Sequence, residues 1–171
     1  MKYIYIGLIT LLSTSICSYA QDSTQLKRTP YKLTVAVDKK TFYEEQINET
    51  PYVLPDRTVQ LYPGETVYIE VEQENGNIKS MTSVKEIKNP SITITITFSQ
   101  NVKKNVHEST MLKIVNPFTY ELIYKAKIFL LRQKKWGNTD VYPVEPGLSA
   151  IELWPDIITS IALGDWTFKV K

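Results

Sequence analysis

Cysteine is nearly absent. Cys17 is the only one in 171 residues, and it falls inside a leader-like first twenty. Without further thiols the chain cannot build a disulfide staple, a zinc ribbon, an Fe–S cluster or a cysteine nucleophile. Histidine is as scarce, and His107 stands alone. A Ser-His-Asp triad would have to use it, yet no nucleophile-elbow motif accompanies it. His107 sits beside Glu108 and Ser109 in a charged stretch that reads as a solvated loop. One imidazole leaves only carboxylates for a metal, and no EF-hand spacing collects them. No metal or cofactor is expected. Charge of one sign is lacking too: the formal net charge is +2. That leaves no basic footprint for nucleic acid. Gly-rich phosphate loops, internal repeats and low-complexity segments do not occur. After the leader no apolar run is long enough for a membrane helix.

What stands first is an export signal. Lys2 gives a positive start, Tyr3 to Leu12 is apolar but short, and Ser18-Tyr19-Ala20 puts small residues where a signal peptidase reads. Residues 1–20 are therefore expected to be removed, with Gln21 as the first mature residue. Cys17 as a lipid anchor is the weaker alternative, because Ile16 stands where a small residue is normal. Removing the first 20 of 171 residues leaves 151 and takes away one lysine, so the charge becomes +1. A chain of about 150 residues buries roughly 68–70% of its unfolded surface, enough for one domain. A thiol-free chain in an oxidising space suits a bacterial periplasm or cell surface.

The mature chain is written in period two. Ile92-Thr93-Ile94-Thr95-Ile96-Thr97-Phe98 alternates strictly, and Leu122, Tyr124, Ala126, Ile128 and Leu130 share one face further on. Such alternation, rich in β-branched residues, predicts half-buried strands. Leu33, Val35 and Val37 make another row, as do Val67, Ile69 and Val71. Asn75-Gly76 predicts a tight hairpin, and Tyr62-Pro63-Gly64-Glu65 a turn. Gly164-Asp165 also reads as a hairpin turn between Ile157–Leu163 and Trp166–Val170. Gln21–Pro30 reads as a mobile lead-in, Gln100–Ser109 as a polar loop, and Arg132–Asp140 as a basic tip. No amphipathic helix competes, although a helical turn near Thr82–Ile87 is an alternative to a return strand. About nine short antiparallel strands in residues 31–171, packed as one sandwich, are expected.

Tyr62-Pro63-Gly64-Glu65-Thr66-Val67, together with the Asn116-Pro117 link between two strands, resembles the immunoglobulin-like modules of secreted bacterial proteins. The resemblance runs from Arg57 onward and implies an immunoglobulin-like β-sandwich. It lacks the Cys…Trp…Cys framework of antibody domains and carries no functional residue with it.

Three constellations could do something. Trp136, Tyr142 and Trp154 lie in or near predicted loops stiffened by Pro143 and Pro146, with Lys134 and Lys135 beside them. Exposed rings there could stack on sugars or anchor a protein; the plain account makes them covers of the core and of a sheet edge. Glu145, Glu152, Asp156 and Asp165 could supply the carboxylate pair of a glycoside hydrolase; the plain account is acids on turns and strand faces. The Thr93, Thr95, Thr97 row is too short for an ice-binding array and reads as the wet face of a sheet. Asn48-Glu49-Thr50 is a glycosylation sequon without consequence in a bacterium. No catalytic residue is assigned. The expected role is non-enzymatic protein–protein contact in the cell envelope, through a strand edge or the aromatic loops. A carbohydrate-binding module is the first alternative and a glycoside hydrolase the second.

Overall fold

The computed structural model describes residues 25–169. The leader, the question of Cys17, the first lead-in residues and Val170 lie outside the described residues. Alternating rows become strands throughout, and every sheet is antiparallel. The strands are β1 (Tyr31–Ala36), β2 (Phe42–Ile47), β3 (Val59–Leu61), β4 (Glu65–Glu74), β5 (Asn77–Val84), β6 (Thr93–Lys103), β7 (Val106–Val115), β8 (Glu121–Leu130), β9 (Lys135–Thr139), β10 (Ser149–Trp154) and β11 (Ile158–Lys169). One 3-10 turn at Pro90–Ile92 is the only helical element among the described residues. No helix there is long and apolar enough to cross a membrane.

β1 and β2 form a hairpin of their own. A five-stranded sheet runs β10-β7-β6-β4-β5, and a four-stranded sheet runs β3-β11-β8-β9. Ile94, Ile96 and Phe98 of β6 are fully buried. Full burial is worth about 1.5–3 kcal/mol for each such side chain. They join Val67, Ile69, Leu112 and Ile114 from their own sheet with Leu61, Leu122, Ala126, Ile161 and Leu163 from the other. One buried cluster thus draws on both larger sheets. A second, smaller cluster of Leu33, Val35, Ile47 and Ile157 sits under the β1–β2 hairpin.

The turn chemistry at Asn75-Gly76 and Gly64 is as read: φ is 52° and 77° in the first pair and 97° at Gly64. Elsewhere the structure corrects the reading. There are eleven strands rather than about nine. Gln100–Ser109 is not a loop but the meeting of β6 and β7, closed by Lys104-Asn105 with φ of 50° and 65°. Its residues are polar because the hairpin end runs past the core. Arg132–Asp140 contains β9, since Lys134 (φ 50°) closes a short turn and returns the chain onto β8. Gly164-Asp165 is not a turn: β11 runs straight through as a bulge on β8, with Asp165 (φ 52°) paired to Lys125 at 2.9 Å. Thr93 is buried, not wet, because its hydroxyl donates to the Asn89 carbonyl at 2.7 Å under the 3-10 turn.

The segment read as a mobile lead-in is docked from Gln25 onward. The Gln25 side chain donates to the Met81 carbonyl at 2.8 Å and accepts from the Ser83 amide at 3.0 Å. Arg28 is buried beneath it.

Candidate functional site

A sheet end must satisfy, cover or expose its outermost backbone groups. Of the four ends of the two larger sheets, three are blunted among the described residues. At β5 the Gln25 side chain occupies Met81 and Ser83, and Arg57 donates to the Ile78 carbonyl at 2.8 Å. At β3 the Gln60 amide donates to the Tyr52 carbonyl, and Val53 bridges to Val59. At β9 the strand is five residues long and opens on Lys134 and Lys135.

β10 is different. Its register on β7 is unbroken from Ser149↔Val115 to Trp154↔Thr110. The Asn116 amide donates to the Leu148 carbonyl just before the strand. Antiparallel pairs alternate between bonded and non-bonded, so Ala150, Glu152 and Trp154 turn their backbone groups to β7. Ser149, Ile151 and Leu153 turn theirs outward, where no described residue meets them. The side chains repeat the asymmetry. Ala150 and Trp154 pack against the core, while Ile151 (55% exposed) and Leu153 (59% exposed) face solvent. Leu148 and Tyr142 add exposed apolar surface at the same end. An open edge about six residues long beside exposed aliphatic side chains is a template for another strand.

Glu152 and Trp154, both singled out in the sequence, lie on β10 itself, and the fold also brings Tyr142 to this edge. Its amide donates to the Glu152 carboxylate at 2.8 Å, which ties the Asp140–Leu148 connection to β10. Trp154 is on β10 but faces inward, its indole N–H donating to Thr139 Oγ1 of β9 at 3.0 Å. Trp136 lies on β9, not in a loop, with its ring edge-on to Phe129 at 5.6 Å. Lys134 sits in the turn before β9 and Lys135 begins the strand. The three rings therefore do not form one platform. Sequence reasoning missed the edge because Ile151 and Leu153 look like core positions in an alternating strand.

The acids are dispersed in role. Glu152 holds Tyr142, and Asp165 holds Lys125. Lys125 keeps the Asp165 carboxyl below the ordinary carboxylate range, first by hydrogen bonding and then by charge. Burial, followed by the Glu152 charge, pushes the Tyr124 phenol up. Asp156 contributes its backbone carbonyl to Thr110, and Glu145 its carbonyl to Leu148. His107 Nδ1 lies 2.8 Å from Gln100 Nε2, and its Nε2 lies 3.1 Å from the Pro155 carbonyl. The amide donates to Nδ1, so the proton sits on Nε2 and points at the carbonyl. Among the described residues neither a hydroxyl nor a carboxylate partners the ring. Among the described residues no three of histidine, cysteine, aspartate and glutamate gather as a metal ion needs. No family model, curated protein or solved structure matches the chain.

Proposed function

We propose that the protein is exported and works without catalysis in the cell envelope, by binding an extended segment of another protein along β10. The carrying observation is the outward row of Ser149, Ile151 and Leu153 backbone groups, at the end of the five-stranded sheet that no described residue covers. A partner strand would satisfy those groups, and its alternate apolar side chains would meet Ile151 and Leu153. Export rests on the pattern of residues 1–20, and the absence of chemistry on the lone histidine and the missing thiols. In the same reading residues 31–171 form one immunoglobulin-like sandwich, supported by the buried cluster common to the two larger sheets.

Amide exchange tests the binding mode. Ala150 and Glu152 amides should be protected in the free protein, whereas those of Ile151 and Leu153 should gain protection only with partner bound. A photo-crosslinker at Ile151 should map to one short segment of an envelope protein, and one at Lys79 on the opposite edge should not. Unchanged exchange at Ile151 and Leu153 in the partner complex would sink the proposal.

A further inference from the structure

The outer face of the four-stranded sheet carries a second feature, remote from the β10 edge in role and chemistry. Directly opposed residues of neighbouring strands share a face. One row across this sheet is Asn138, Lys127, Ala162 and Gln60, and the next includes Lys125 and Gly164. Long side chains on β8 thus flank the two smallest residues of β11. The result is an open trough of about 1170 Å³, floored by Ala162 and Gly164. Thr58 walls one side, within 3.4 Å of where a Gly164 side chain would begin, and Trp136 stands on the other.

The geometry points to a binding site for a neutral oligosaccharide in this trough, with Trp136 as its stacking platform. Trp136 is 44% exposed yet braced edge-on by Phe129, so its face is presented with little freedom left to lose. The walls offer hydroxyl, amide, ammonium and carboxylate groups from Thr58, Asn138, Lys127 and Asp140, a mixture that suits ligand hydroxyls as both donors and acceptors. An extended peptide is a poor occupant. The backbone of β11 is already paired to β3 and β8 on its two sides, so the floor offers no ladder. A charged ligand is also disfavoured. The lining sets Lys125 and Lys127 against Asp56, Asp140 and Asp165, so neither sign of ligand charge is matched throughout, and Lys125 is already paired with Asp165 at 2.9 Å.

Calorimetry and tryptophan fluorescence on the mature chain decide the matter. The probes are linear hexasaccharides of glucose, mannose, galactose and xylose, with a polyuronic acid of equal length as the charged control. At least one neutral probe should bind and perturb the fluorescence. Trp136→Ala should weaken it about tenfold or more, as loss of a central aromatic contact does. Ala162→Leu should fill the trough and weaken it likewise, and Asn138→Ala keeps the test open if that variant misfolds. Ile151→Lys should leave sugar binding unchanged, which separates this site from the β10 edge. Silence across the neutral panel, binding of the polyuronate alone, or affinity indifferent to Trp136→Ala and Asn138→Ala would overturn the inference.

Discussion

Arg28 and Glu65 form a buried ion pair, Nε to Oε1 at 3.0 Å, with Arg28 1% and Glu65 8% exposed. The guanidinium lies between the Tyr52 and Tyr62 rings, 4.6 and 5.1 Å from their centroids. It also donates to the Gln60 carbonyl and to Thr50 Oγ1. Glu65 accepts from the Tyr62 amide and the Tyr31 hydroxyl. One pair therefore fastens the segment before β1 to the starts of β3 and β4. Removing a single partner strands a charge in a low-dielectric site, which costs about 3–5 kcal/mol. Arg28→Met should lower stability by that order in urea unfolding followed by tryptophan fluorescence. Arg28→Met with Glu65→Leu should recover only part of the loss. The Tyr62 amide and the Gln60 carbonyl would still lack their partners. A fully stable single variant would refute this account.

The strand interiors were legible from the alternation, because a buried face imposes period two on residues such as Ile94, Ile96 and Phe98. The Arg28 anchor was not. A polar run containing Lys27 and Arg28 reads as solvated, and only tertiary pairing with a carboxylate 37 positions away makes it core. The ends of β6, β7 and β9 were hidden for a related reason: strands that run beyond the core lose their apolar rhythm. The position of β10 at the end of a sheet was not legible either. Sheet order depends on long-range pairing, and Ile151 would be core in a central strand. The three aromatic residues near the C-terminal third were visible as types, yet the placing of Trp136 and Trp154 on different sheets, with Tyr142 on the connection between them, was not.

The parity of β10 predicts how proline will be received there. Proline removes one N–H, which matters only where that N–H is in the ladder. The Ile151 amide faces away from β7 and the Ala150 amide faces Ile114. Ile151→Pro should therefore cost less than about 1 kcal/mol. Ala150→Pro leaves a carbonyl of β7 unpaired and should cost about 1–3 kcal/mol. Thermal unfolding of the two variants checks the order. Ile151→Pro should also abolish partner binding, since it removes a central outward donor. The reverse order of stability would mean that the parity is wrong.

Asn116 is fully buried and closes the link between β7 and β8. Its Nδ2 donates to the Tyr120 and Val144 carbonyls at 2.8 and 2.9 Å, while Oδ1 accepts from the Phe118 amide at 3.0 Å. Asn116→Asp keeps the shape but turns a carboxylate toward two carbonyls. The Tyr120 carbonyl then loses its donor, at about 1–3 kcal/mol, while the Val144 carbonyl keeps the Leu122 amide at 2.9 Å; the buried charge adds to this cost. Protonating the new acid restores one donor, so acidification should narrow the gap to the parent protein. Urea midpoints at neutral and acidic pH test this. A gap that widened on acidification would contradict the hydrogen-bond assignment.

Alkaline pH should loosen the β1–β2 side of the molecule. Burial is the first cause that raises the phenols of Tyr31, Tyr52 and Tyr62, with Glu65 adding to it in each case. Tyr43 is pushed up to about 12, by burial and then by its hydrogen bond to Glu45. In the unfolded chain these phenols lose their protons at about pH 10. Above that the folded state holds more protons than the unfolded one, so stability falls as pH rises. The contribution is fully present below about pH 10 and drains away toward the raised values. Tyrosinate absorbance should accordingly include a late stage, above about pH 10, that coincides with unfolding. Urea midpoints should decline across the same interval. If every phenol titrated together near pH 10, with the urea midpoint unmoved, the buried environment of Tyr31, Tyr52 and Tyr62 would be disproved.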